Sequence, residues 1–173
     1  ISNPLLNLTK IQGCNQAFVV SALAIAGHGD DILMTRPSYF NHDSTLGMLG
    51  IGMRYVDCYP ANAMLPRLDD IESALGPNTK AIALVSPNNP CGVIYPADLL
   101  SNVLKLCKKK GLWLILDETY RDFLPLSYSQ PHTLFQSESW QDNFISLYSF
   151  SKAYCIPGHR LGAITAGEKG LFL

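Results

Sequence analysis

The chain has 173 residues, 47% of them apolar and 16% charged, and its 13 Lys+Arg against 14 Asp+Glu leave a formal charge of −1. That length suits one domain with a real core, and the apolar content argues against disorder. Near-neutral charge with no Lys/Arg-dense face argues against nucleic acid as the main partner, and so little charge points to surface buried against something beyond this sequence.

Taken in chain order, a glycine turn at Gln12-Gly13-Cys14-Asn15-Gln16-Ala17 opens a helix predicted over Asn15–Ala26. Gly27-His28-Gly29-Asp30 then breaks to a strand at Asp31–Thr35, followed by a helix over Ser44–Leu49 and a strand at Arg54–Cys58. A helix over Leu68–Leu75 precedes a strand at Ala81–Val85. In the next helix, Ala97–Lys109, residues Leu99, Leu100, Val103, Leu104 and Cys107 recur at helical spacing, the pattern of core packing. Lys108-Lys109-Lys110 closes it, where cations offset the helix dipole, and Gly111 is its expected C-cap. Strands at Leu112–Leu116, Phe144–Tyr148 and Ala163–Ala166 complete the pattern. Several of these strands are continuous apolar runs, as strands covered on both faces must be, and their alternation with helices predicts an α/β fold. Gly47, Gly50 and Gly52 have the reverse of the dinucleotide-binding spacing and read as loop and packing residues.

No apolar run approaches the roughly 18–20 residues of a membrane span. The best candidate, Phe18 to Ala26, is interrupted by Ser21. Ile1 is not an initiator Met and the first residues lack a signal-peptide layout, so a segment of a longer protein is expected. Cysteines 14, 58, 91, 107 and 155 are odd in number and contain no C-x-x-C, which supports neither a metal site nor a disulfide framework. Reduced thiols in the cytoplasm are the expectation. The sequon at Asn7-Leu8-Thr9 carries little weight by itself.

Four clusters carry chemistry, and each has an ordinary structural reading beside it. The turn at Gly13-Cys14-Asn15 is either a plain helix start or an anion site built from free N–H groups. Ser86-Pro87-Asn88-Asn89-Pro90-Cys91-Gly92 is either a turn or a rigid mount for an Asn donor. Asp117, directly after an apolar strand, is either a helix cap or a desolvated carboxylate in need of a cationic or N–H partner, with Tyr120 three residues on. Finally, a strand delivers Ser149, Ser151 and Lys152 into a loop, with Arg160 eight residues later. Lys152 is either a surface lysine or a nucleophilic amine, and Arg160 can clamp an anion bidentately.

Taken together the clusters are more specific. A glycine helix start, an Arg and two serines suit a phosphate, a lysine suits an aldehyde, a buried carboxylate suits a ring nitrogen, and an Asn and a Tyr suit a ring hydroxyl. Pyridoxal 5′-phosphate carries all of these groups.

The run S-F-S-K-A-Y-C-I-P-G-H-R-L-G at 149–162 resembles the cofactor-lysine segment of class I/II aminotransferases, fold-type I pyridoxal-phosphate enzymes. The resemblance extends to N-N-P-C-G at 88–92, D-E-T-Y at 117–120 and P-S-Y at 37–39, and spans Gly13 to Gly162. It implies a three-layer α/β/α fold with a mostly parallel central sheet, the large domain of such an enzyme. It implies that Lys152 bonds the cofactor and then shuttles a proton, that Asp117 pairs with the pyridinium nitrogen, and that Asn89 and Tyr120 bond the ring hydroxyl oxygen. Tyr39 would stack on the ring. The amides of Gly13, Cys14 and Asn15 would hold the phosphate together with Ser149, Ser151 and Arg160. A cis bond at Asn89–Pro90 is a family feature.

Cys91 replaces the usual Thr of that motif, and Cys14 and Asn15 stand where small or hydroxyl residues are common. Residues 1–173 are expected to be a partial large domain, lacking an N-terminal segment and the C-terminal small domain. The resemblance implies amino acid and 2-oxo acid substrates and a homodimer in the full-length protein. Two alternatives remain at this point: a same-fold lyase or decarboxylase of the aminocyclopropane-carboxylate synthase type, and an inactive cofactor-binding remnant.

Overall fold

The apolar runs form strands as expected, and a further strand joins them. The computed structural model describes residues 7–137 and 140–171. The strands are β1 (Asn7–Ile11), β2 (Asp31–Arg36), β3 (Gly52–Asp57), β4 (Thr79–Val85), β5 (Trp113–Asp117), β6 (Phe144–Ser149) and β7 (Gly162–Ala166). The helices are α1 (Gly13–Ile25), α2 (Phe40–Leu49), α3 (Leu68–Ala74), α4 (Ala97–Lys110), α5 (Phe150–Ala153) and α6 (Glu168–Leu171). One sheet runs in the order β1-β7-β6-β5-β4-β2-β3. The strands from β6 to β3 pair in parallel, while β7 is antiparallel to both its neighbours.

Strand parity divides the core. Successive side chains point to opposite faces, so Ile32, Met34, Ala81, Ala83, Ile115, Ile145 and Leu147 pack with Ala17, Phe18 and Ala22 of α1 and Leu46 of α2. Leu33, Ile82, Leu84, Leu114, Leu116 and Phe144 face the other way, onto Ile71 of α3 and Leu100, Val103 and Leu104 of α4. Full burial of each Ile, Leu, Val, Met or Phe among them contributes about 1.5–3 kcal/mol, and the two layers make the sheet the middle of an α/β/α sandwich. Gly111 caps α4 in the left-handed region at φ 68°, its N–H reaching the Cys107 and Lys108 carbonyls.

Four expectations need correction. The strand β1 is absent from the sequence reading because N-L-T-K-I is too short and mixed to show a period; its partner β7 creates it. Helix α2 starts at Phe40 rather than Ser44, the polar run Asn41-His42-Asp43 having masked a first turn in which His42 is buried. Lys152 lies in the one-turn helix α5 rather than a loop, with the Ser149 hydroxyl accepting the Ser151 N–H at the helix start. Gly47 lies within α2, whereas Gly50 caps it at φ 69° and Gly52 begins β3. The sequon residue Asn7 begins β1.

One glycine couples the sheet to the site. A Cβ on Gly162 would lie 2.8 Å from the Gly13 carbonyl carbon and 3.0 Å from the Tyr148 oxygen, all backbone, so β7 runs bare against the start of α1. Gly162→Ala should therefore lower unfolding free energy by about 1–3 kcal/mol in urea titration; unchanged stability would mean that the two elements part without loss.

Candidate active site

Three parallel strands end side by side, with Val85 paired to Asp117 and Asp117 to Leu147. Beyond their carboxyl ends lies a cleft of about 130 Å³, in the position where open α/β sheets bind ligands. Val85 at the end of β4 and Asn89 beyond it line the cleft, with Asp117 at the end of β5 and Thr119 and Tyr120 beyond it, and Ser149 at the end of β6 and Ser151 and Lys152 beyond it. Cys14 and Asn15 approach from the start of α1, Tyr39 from the start of α2, and Arg160 from the turn before β7. Of the residues singled out by sequence, Gly13 alone is not on the cleft wall. Its part is to leave room: a Cβ there would run into the Arg160 guanidinium. The bond Asn89–Pro90 is cis, as are Arg36–Pro37 and Ser86–Pro87.

Asp117 is the electrostatic centre. It is 4% exposed and does not cap a helix. Its Oδ2 lies 3.3 Å from His42 Nε2, and its Oδ1 accepts from the Thr119 N–H (2.9 Å) and hydroxyl (2.7 Å). Burial is the largest single influence and pushes its pKa up, but His42 and the two Thr119 hydrogen bonds together outweigh it and hold the carboxyl below its ordinary 3.8. His42 is fixed in turn by stacking on Phe18, with centroids 3.8 Å apart, and by the edge-on Tyr39 ring at 5.2 Å. Burial, and then the Asp117 carboxylate, push the Cys14 thiol well above its ordinary 9.0, so a neutral thiol faces the cleft.

Two cationic side chains also line the cleft. Lys152 is an exposed residue of the wall it shares with Asp117, and Arg160 is held by its Nη1 donating to the Pro157 carbonyl at 3.0 Å. Arg160 has φ 50°, the last residue of a tight turn that points it back at Gly13. The buried Ser151 hydroxyl beside them has no partner among the described residues. Asn88, buried below Asn89, accepts the Cys91 N–H at 3.1 Å, so the small Cys91 side chain leaves the turn intact.

Sequence reading missed His42 and Thr119. The signal for Thr119 was local, two residues past a strand-end Asp. For His42 it was a histidine three residues after Tyr39, on the inner face of a helix whose first turn went unrecognised.

Residues 6–170 match the profile of the family Aminotransferase class I and II. The chain is 33% identical over 160 residues to an aromatic aminotransferase of Arabidopsis thaliana, covering 91% of this chain and 39% of that protein. An S-alkyl-thiohydroximate lyase of the same plant is 29% identical over 161 residues, covering 92% and 34%. Among solved structures, an aromatic aminotransferase from Pyrococcus horikoshii superposes with a TM-score of 0.89 at 22% identity, over 99% of this chain and 46% of that one. The mostly parallel seven-stranded sheet with its covering helices matches the fold of an aminotransferase large domain. The chain belongs to the class I and II aminotransferase family, and it spans less than half the length of the relatives it matches.

A carboxyl whose folded pKa lies below its unfolded value stabilises the fold fully above about pH 4 and ceases to as pH falls through the folded value. Asp117→Asn should therefore flatten the acid limb of a urea stability profile, with the parent losing more than the variant between about pH 5 and pH 3. Parallel profiles would remove this linkage from Asp117.

Proposed function

We propose that this chain is the cofactor-binding large domain of a pyridoxal-phosphate-dependent aminotransferase, which passes an amino group between an amino acid and a 2-oxo acid. The observation that carries the reading is one cleft walled by an amine (Lys152), an ionised buried carboxylate (Asp117) and a guanidinium (Arg160), the carboxylate drawn from a segment well apart from the other two. The donor set fits the cofactor on the chain's own terms. The unpartnered Ser151 hydroxyl, the Arg160 guanidinium and the free N–H groups at the start of α1 match a phosphate. The bare α-carbon of Gly13 keeps that corner open. An ionised Asp117 matches a protonated ring nitrogen, and the Lys152 amine matches an aldehyde.

When bound, the cofactor supplies an electron sink for the substrate α-carbon. Asp117, kept ionised by His42 and Thr119, would pair with the ring nitrogen. Asn89 and Tyr120 would hydrogen-bond the ring hydroxyl oxygen, and Tyr39 would stack on the ring. Gly13, Cys14 and Asn15 would offer backbone N–H groups to the phosphate, beside Ser149, Ser151 and Arg160. Lys152, mounted on α5 at the cleft wall, would bond the cofactor aldehyde and, once released, would serve as the amine that moves the substrate α-proton.

On this reading residues 1–173 are part of the large domain, and the group that binds the substrate carboxylate comes from elsewhere in the protein. A homodimer is supported by Val20 and Leu23 on α1 and Phe40 and Met48 on α2, all exposed large apolar side chains. A reducing, cytoplasmic setting is supported by five unpaired cysteines, and no helix among the described residues is long and apolar enough to cross a membrane. A second reading, a lyase using the same cofactor, is favoured by the lyase among the relatives; amino-group exchange with an added 2-oxo acid in the full-length protein separates the two.

The test of the reading is borohydride reduction of the chain incubated with pyridoxal 5′-phosphate. Lys152→Ala should abolish the covalent label, while Asp117→Asn should keep it and, in the full-length protein, slow α-proton exchange by at least about a hundredfold. Full labelling of the lysine variant would overturn the assignment.

A further inference from the structure

Asp117 and Glu118 are neighbours in sequence, so strand parity sends their carboxylates to opposite faces of the sheet, and each meets a buried imidazole. Asp117 has His42. Glu118, 1% exposed, has His132, 9% exposed, with Nε2 3.1 Å from Oε1, a close polar contact that lacks hydrogen-bond alignment. The Leu134 N–H donates to His132 Nδ1 at 3.2 Å, which assigns the ring proton to Nε2, on the side of the carboxylate. The Ser146 hydroxyl donates to the other oxygen, Glu118 Oε2. The Phe144 and Phe135 rings lie 5.8 and 5.6 Å from the imidazole, so the pair sits in an apolar wall where an unpaired carboxylate is costly.

The chain between these partners, residues 119–131, is a long excursion whose one regular element is the single turn Arg121–Phe123, and it exposes Leu126 fully. Its first residues are Thr119 and Tyr120 of the cleft. The turn that presents Tyr120 grows from Glu118: the Glu118 carbonyl accepts the Arg121 N–H at 3.1 Å, and the Tyr120 carbonyl accepts the Phe123 N–H at 3.0 Å. The far side of the turn has its own hold, with the Tyr148 hydroxyl donating to Asp122 and the Arg121 guanidinium 4.1 Å from the Tyr148 ring centroid.

We propose that the buried Glu118–His132 pair is a positioning device for Tyr120: it closes the 119–131 loop at its base and so fixes the turn that aims Tyr120 into the cleft. A loop tied at both ends has lost the freedom that would let its first turn swing, and a carboxylate desolvated among phenylalanines stays seated only while its partners are there. Neither residue touches the cleft, so the action passes through the backbone of residues 118–123. The consequence for catalysis rests on the cofactor reading above; the consequence for the turn does not.

Two measurements on His132→Leu, His132→Gln and Tyr120→Phe test this. The first is amide hydrogen exchange without cofactor. Exchange at Arg121 and Phe123 should quicken at least about tenfold in His132→Leu relative to β4 amides, and return most of the way in His132→Gln, whose amide restores a donor toward Glu118. Ser146→Ala, which removes one hydrogen bond from the same carboxylate, supplies a milder step in the same direction if the leucine variant does not fold. The second is the pH midpoint of the visible band of the chain loaded with pyridoxal phosphate. His132→Leu should move it the same way as Tyr120→Phe, and the double variant no further than Tyr120→Phe alone. Unchanged exchange at the two amides, with only a lower melting temperature, would overturn the proposal, and so would additive midpoint shifts in the double variant. If Tyr120→Phe itself leaves the midpoint unmoved, the cofactor role of Tyr120 is what fails, and the exchange result still decides the clamp.

Discussion

A negative charge kept out of water at the end of a strand is the constraint on which the rest of this structure turns. Asp117 is almost wholly buried, and burial by itself pushes its pKa up. It stays ionised because three groups converge on it: an imidazole from α2 and an N–H and a hydroxyl from the residue two places on. That requirement fixes where α2 must begin, since His42 reaches Asp117 only if the first helical turn lies over the strand ends. It also fixes the packing beneath, because Phe18 of α1 supports the imidazole face. Moving any one of these elements leaves a desolvated carboxylate without compensation, a loss of several kcal/mol.

The sheet makes the convergence possible. Parallel strands joined by crossover helices leave all their carboxyl ends on one edge, so side chains far apart in the chain meet there without long reaches. Asn89, Asp117 and Ser149 stand at or just past the ends of three adjacent strands, and α1, α2 and the loop of residues 119–131 add side chains from the two sides of the sheet. The close contact of Gly162 with Gly13 brings β7, and with it Arg160, against the start of α1. This close approach joins two glycines that are separated by most of the chain.

Charge in the cleft is unevenly compensated. Asp117 is met by His42 and Thr119, whereas no ion pair joins Lys152 or Arg160 to a carboxylate among the described residues, and the Ser151 hydroxyl has no hydrogen-bond partner there. The apolar side chains left exposed on α1 and α2 (Val20, Leu23, Phe40 and Met48) are of a different kind and carry no charge.

Much of this was legible in the sequence, for identifiable reasons. Continuous apolar runs located the central strands, because strands buried on both faces tolerate little else, and the helical spacing in 97–109 identified α4 as core. Lys152, Asp117, Asn89, Tyr120 and Arg160 stood out because unusual residues at strand ends sit in short, specific runs. What the sequence left undetermined depends on partners distant along the chain. Strand β1 exists because β7 offers it a free edge, and its own five residues carry no period. His42 becomes the partner of Asp117 only when two layers pack, and Glu118 meets His132 only when a loop folds back on itself. Local pattern is set by which residues follow one another, and so is written in the chain; compensation of a buried charge is set by which residues end up opposite, and only the tertiary structure decides that.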